Sequence, residues 1–184
     1  RDIHMVAMVN IAPPGVPVAE KYDLKGSSAG RSATAEERQT KKEGVLLKDL
    51  DWDRPMMLSS ATEEFVVKQA AADCDWLKGH SIIDYSLLVL IVRQPPNAPP
   101  VAASALVGYS EKSRAPTSEQ YLLGIIDILQ EYNWFKLVEH KVKSFAWHED
   151  DVSCMDPERY RLRFQTMVMR VASGYTRIVG YAST

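Results

Sequence analysis

A chain of 184 residues is long enough for one domain with a substantial core, and 46% apolar with 25% charged residues is the balance of a globular protein, not a disordered or fibrous one. A formal net charge of −2 gives no electrostatic footprint for a nucleic-acid partner. The two cysteines, Cys74 and Cys154, match no zinc spacing and read as reduced intracellular thiols, and no apolar run approaches the roughly 20 residues of a membrane span.

The start, Arg1-Asp2-Ile3-His4, is not a signal peptide and carries no initiating methionine, which points to a soluble intracellular fragment. Ile3 to Val9 reads as a strand. The turn-rich Ala12-Pro13-Pro14-Gly15-Val16-Pro17 follows, then a short strand around Lys21 to Leu24. Gly26 to Gly44 is small, polar and charged, and is expected to be a mobile loop; Lys48 to Pro55 reads as an extended connector carrying Asp49, Asp51, Trp52 and Asp53. Ser60 and Glu63 have capping-box spacing ahead of a helix marked by Phe65, Val66, Gln69, Asp73, Trp76 and Leu77 and stopped by Gly79.

Two apolar runs then stand out as strands, each carrying one acid at its end. Asp84 lies in Ile82-Ile83-Asp84-Tyr85-Ser86-Leu87-Leu88-Val89-Leu90-Ile91-Val92, and Asp127 in Leu122-Leu123-Gly124-Ile125-Ile126-Asp127-Ile128-Leu129. Between them Gln94 to Gln120, with Pro95-Pro96 and Pro99-Pro100, reads as a disordered insertion. Helical spacing recurs in Leu129, Tyr132, Phe135, Val138 and Val142, predicting a helix from Ile128 to Phe145. Asp156 as N-cap and Pro157 at the first helical position open a last amphipathic helix with Tyr160, Phe164, Met167, Val168 and Val171.

The chemistry has bland alternatives at each position. Lys25, at a strand end before Gly26 and Ser27, can face an anion or simply solvent. Asp84 can cap a strand start, and Asp127 can N-cap a following helix. Together they supply an acid to position a hydroxyl and an acid to bind magnesium, the least that phosphoryl transfer needs. Lys136, His140, Lys141 and Lys143, with Arg159, Arg161, Arg163 and Arg170, cluster positive charge in the C-terminal third; this suits an anionic membrane, or is a solvated face with ion pairs such as Glu139 with Lys143. His4, His80 and His148 are isolated, and there is no nucleophile elbow or Walker-type loop.

Read together, Tyr22-Asp23-Leu24-Lys25-Gly26-Ser27 with Arg31 beyond it, Ile83-Asp84-Tyr85-Ser86-Leu87-Leu88, Gly124-Ile125-Ile126-Asp127-Ile128-Leu129 and Tyr160-Arg161-Leu162-Arg163-Phe164 stand in the order and rough spacing of the phosphatidylinositol phosphate kinases. The chain resembles that family from about residue 3 to residue 170, and Leu137-Val138-Glu139-His140-Lys141-Val142-Lys143 looks most like the type I enzymes, the phosphatidylinositol-4-phosphate 5-kinases. The resemblance implies an α+β fold: the C-terminal lobe of a protein-kinase-like lipid kinase over residues 1–172, mainly antiparallel sheet with packed helices, flexible insertions at 28–44 and 93–120, and a tail at 173–184. It implies ATP and Mg2+ as cofactors and transfer of the γ-phosphate to a phosphatidylinositol monophosphate.

By position it makes Asp84 the catalytic acid, Asp127 the magnesium acid and Lys25 a lysine near the transferred phosphate. Asn10 and Ile11 would meet adenine from a hinge, Leu88 and Ile126 from the pocket floor. Arg31, Lys136, His140, Lys141 and Lys143 would face lipid or membrane, and 143–156 would be an activation loop. Expected partners are a phosphoinositide and an anionic membrane bound peripherally from the cytoplasm, with no nucleic acid; a homodimer is left open. The chain departs from the family in Ile83 before the acid, in Leu90-Ile91-Val92 after it, in lacking an acidic residue near Leu162, and in lacking the N-terminal lobe with its ATP-binding lysine. Those departures support the rival reading of a non-catalytic phosphoinositide-binding scaffold. An enzyme acting on a soluble inositol phosphate is a third reading, which the basic face disfavours.

Overall fold

The structure is a computed structural model, in which residues 6–40, 44–132 and 156–179 are described. Its centre is a five-stranded sheet in the order β2-β1-β4-β6-β5, built from β1 (Val18–Leu24), β2 (Leu46–Leu47), β4 (Ser86–Arg93), β5 (Leu106–Ser110) and β6 (Ala115–Ile126). All neighbours are antiparallel except β1 with β2. A second, two-stranded ladder pairs β3 (Ile82–Ile83) with β7 (Gln130–Glu131). Helices α2 (Ser60–Gly79) and α3 (Pro157–Ala172) pack side by side, and a short α1 spans Ala35–Thr40. The mixed α+β class with a mainly antiparallel sheet is the one expected.

Why β4 is apolar without interruption is clear from its two faces. Leu87, Val89 and Ile91 point into the main core with Tyr22, Leu24, Tyr121, Phe164 and Met167. Leu88, Leu90 and Val92 point the other way, against Leu122 and the 11–18 and 101–105 segments. A strand covered on both faces loses the alternation of a half-exposed one, and each fully buried aliphatic side chain contributes about 1.5–3 kcal/mol. Leu90-Ile91-Val92, the departure noted above, is therefore core on both sides.

Several local expectations need correction. Val6–Asn10 is not a strand; it is exposed and in no regular element, while residues 1–5 lie outside the described residues. Gly26–Gly44 is not uniformly loop, since Arg31 and Ala33 are tied to Asp49 and Asp51 and α1 follows. The connector after Lys48 contains a 3-10 turn, Asp49–Asp51, whose first residue is buried. The N-cap of α2 is Ser59, one residue before the expected one, because its Oγ accepts the Thr62 amide at 3.2 Å. Its buried stripe is Val66, Ala70, Cys74 and Leu77, leaving Phe65 and Trp76 exposed.

The largest correction concerns residues 94–120. Residues 106–120 form a hairpin, β5 and the first half of β6, and 94–105 form the loop that leads into it, not a disordered insertion. Buried Gln120 explains how the proline-rich loop is held: its side-chain oxygen accepts the Val101 amide at 2.8 Å and its Nε2 donates to the Pro99 carbonyl at 3.1 Å. One polar side chain thereby satisfies backbone groups that prolines cannot pair in a ladder. The helix expected from Ile128 does not begin there, because Gln130 and Glu131 pair with β3; the rest of that segment, with Lys136, His140, Lys141 and Lys143, lies outside the described residues. The last helix matches its expectation, with the Asp156 carboxylate accepting the Glu158 and Arg159 amides.

Candidate functional site

The two ladders are interrupted at the same level. Ile83 pairs with Gln130 and Ser86 with Ile126, and between these pairs stand Asp84 on one side and Asp127 on the other. Both have left-handed backbone, at φ 62° and 63°. Aspartate tolerates that region better than most residues, yet two such breaks facing each other are the kind of local conformation that gathers at functional sites. Both acids stand at strand ends, as the apolar runs had implied. Asp127 caps no helix.

The two acids and Lys25 line one cleft of about 240 Å³, completed by Leu129 and Gln130. Lys25 leaves the end of β1 and reaches across it: Nζ donates to Asp84 Oδ1 at 2.7 Å and to the Asp84 carbonyl at 2.8 Å. Asp127 is exposed, and among the described residues it makes no ion pair. Among the described residues the cleft thus holds two carboxylates and one ammonium. No group of three or more His, Cys, Asp or Glu is assembled among the described residues. The exposed Asp127 carboxylate on an open cleft still fits Mg2+, which can bind through one or two carboxylates and otherwise keeps waters and substrate phosphates instead of a protein cage.

What holds the cleft comes from three directions. The Tyr160 hydroxyl on α3 donates to the Tyr85 carbonyl, and Tyr85 packs edge-on against Tyr160 and Phe164 with ring centroids 4.7 and 4.8 Å apart. Gly26, at φ +73°, lies so close to α3 that a Cβ there would stand 3.1 Å from the Arg163 carbonyl and 3.1 Å from Met167 Cβ. Asp49 accepts the Lys25 and Gly26 amides. The Asp49 and Tyr160 contacts were not read from the sequence, because their partners lie 24 and 75 residues away and no local pattern announces them.

The remaining expected residues divide. Ile11 and Leu88 share the second apolar cluster, and Ile11 lies over Gly124, the register partner of Leu88. Ile126 follows on that face of β6 by the period-2 rule. Asn10 is exposed and accepts the Ala12 amide at 3.1 Å. Arg31 is turned inward, donating to Asp49 Oδ2 at 2.7 Å and Asp23 Oδ1 at 2.8 Å. Burial opposes its charge, but the hydrogen bonds and fields of Asp49 and Asp23 prevail and raise its pKa. Of the α3 arginines, Arg159 pairs with Asp156 and Arg161 with Glu158 and Asp75, as on a solvated face. Among the described residues no helix is long and apolar enough to cross a membrane.

The family model described as Phosphatidylinositol-4-phosphate 5-Kinase matches residues 1–104 and 101–171. Phosphatidylinositol 4-phosphate 5-kinase 5 of Arabidopsis thaliana is 28% identical over 226 residues, covering 93% of this chain and 29% of the relative. Phosphatidylinositol 4-phosphate 5-kinase type-1 alpha of Rattus norvegicus is 31% identical over 208 residues, covering 90% and 38%. The chain therefore spans about a third of the length of these curated relatives. With its cleft assembled from three of the four motifs and α3 bearing the fourth, the chain belongs to the phosphatidylinositol-4-phosphate 5-kinase family.

Proposed function

We propose that this chain is the C-terminal lobe of a lipid kinase that transfers the ATP γ-phosphate to a phosphatidylinositol monophosphate, in the first instance phosphatidylinositol 4-phosphate to give the 4,5-bisphosphate. The observation that carries the reading is the convergence of Lys25, Asp84 and Asp127 on one cleft in a member of this family. Asp84 orients the attacking inositol hydroxyl and accepts its proton. Lys25 holds the Asp84 carboxylate in place and offsets negative charge that develops on the transferred group. Asp127, which pairs with no ammonium among the described residues, is the acid for Mg2+, which when bound neutralises the phosphate oxygens. Ile11, Leu88 and Ile126 give an apolar face for adenine, and Asn10 lies beside it. Arg31 acts from within on Asp23 and Asp49. Lys136, His140, Lys141 and Lys143 remain the proposed membrane-facing residues, with peripheral binding from the cytoplasm.

The test uses the full-length protein, since this chain is a part of its relatives' length. Asp127→Asn is expected to lower lipid phosphorylation by about 10²–10³-fold, the range seen when one preorganised charge-stabilising group is removed, while vesicle binding persists. Turnover equal to wild type would overturn the metal assignment. Binding without turnover in the wild type would favour the scaffold reading, and phosphorylation indifferent to anionic vesicles a soluble inositol phosphate.

A further inference from the structure

Resting on that reading of the cleft, we propose that Asp49 is a positioning residue for phosphoryl transfer, acting through Lys25. Asp49 is 1% exposed and sits on the short turn between β2 and α2, outside the cleft. Its carboxylate is aimed at the point where β1 leaves the sheet. Oδ1 accepts the Gly26 amide at 2.6 Å and the Lys25 amide at 3.0 Å; Oδ2 accepts Arg31 Nε at 2.7 Å and is 3.2 Å from the Lys25 nitrogen. Past Leu24 these amides have no strand partner, so the carboxylate takes the place of the missing ladder.

The contacts constrain the lysine specifically. A lysine stem has many rotamers, and its ammonium reaches one point reliably only if the backbone beneath it is fixed. Asp49 fixes that backbone from one side. From the other, α3 crowds Gly26 so closely that the turn cannot retreat. Between these supports Lys25 Nζ meets Asp84 at 2.7 Å. Arg31 supplies the counter-charge that makes a buried carboxylate tolerable, and its second carboxylate partner, Asp23, keeps it there. A buried acid serving the fold alone could be satisfied anywhere; this one meets the two amides that set the aim of the cleft's ammonium.

The experiment is a double-mutant cycle in the full-length enzyme, with phosphatidylinositol 4-phosphate vesicles and radiolabelled ATP. Asp49→Asn is expected to lower kcat by about 100-fold while leaving the KM for ATP within about twofold, since misplacing a group acting only in the transition state costs turnover. In a Lys25→Ala background the same change is expected to cost nothing further. An equal loss in both backgrounds overturns the proposal and leaves Asp49 as a support of the fold. A wild type without lipid kinase activity overturns the underlying reading instead. The proposal then rests on Lys25 itself: competitive acetylation, read by mass spectrometry, must be slower in wild type than in Asp49→Asn, and equal reactivity overturns it. Should Asp49→Asn not fold, hydrogen exchange on the wild type decides: protected Lys25 and Gly26 amides support the arrangement and freely exchanging ones refute it.

Discussion

At Gly26 two requirements coincide: a left-handed backbone and van der Waals contact with α3. A methyl group there meets both at once, so Gly26→Ala is expected to destabilise the protein by about 1–3 kcal/mol, measured as a lower urea midpoint, because strained φ and overpacking each cost in that range. Lys25, one residue earlier, was legible as a lysine at a strand end but not as the partner of Asp84, which lies 59 residues on. The two acids were legible for a physical reason: a charge at the end of an apolar run needs an explanation. The sequence could not reveal that both stand at breaks between ladders, since positive φ at aspartate leaves no mark in composition. In the sequence Asp49 had no distinguishing feature among its neighbouring acids; its contacts with the Lys25 and Gly26 amides set it apart.

Among the elements, α3 does most to fix the site. It carries the Tyr160 hydroxyl to the Tyr85 carbonyl, packs Phe164 on Tyr85, and walls the Gly26 turn. Tyr160→Phe is expected to cost about 1–3 kcal/mol in urea unfolding, the penalty for leaving a buried carbonyl unpaired, and to lower kcat by loosening the chain beside Asp84. A variant as stable and active as wild type would refute that link. This helix was legible to its first turn because Asp156 and Pro157 are local signals acting on the nearest amides. The expectation of a helix from Ile128 had only spacing behind it, and spacing cannot see that Ile82 and Ile83 pair with Glu131 and Gln130. Prolines and small residues at 94–120 likewise hid a hairpin whose order comes from β6 and from Gln120.

For the molecule as a whole, burial of titratable side chains sets an upper pH limit. Burial pushes the Cys74 thiol up to about 11, from 9.0. Between those values the unfolded chain loses a proton that the folded chain keeps, so stability is full below pH 9 and falls as pH rises, by roughly 3 kcal/mol for this group. Burial raises Tyr22, Tyr85, Tyr121 and Tyr160 as well, so their loss adds above pH 10 with the same sign. Urea midpoints should hold from pH 8 to about 9 and then decline toward pH 11; a flat profile across the whole range would contradict this burial. On the acid side, hydrogen bonds from Arg161 and Lys78 hold Glu158 down at about 2, so its tie between α3 and α2 persists until pH falls well below the ordinary carboxylate range.

The central claim is that the cleft of Lys25, Asp84 and Asp127 performs phosphoryl transfer to a phosphoinositide. It is tested most directly by the rate at which full-length wild-type and Asp84→Asn proteins move labelled γ-phosphate from ATP to phosphatidylinositol 4-phosphate in vesicles. Asn at position 84 keeps the side-chain shape, and its urea midpoint serves as the folding control. The account predicts labelled bisphosphate from wild type and a rate at least about 10²-fold lower from the variant, the lower bound for losing a general base. Equal rates from two equally folded proteins, or no labelled lipid from wild type, would contradict it.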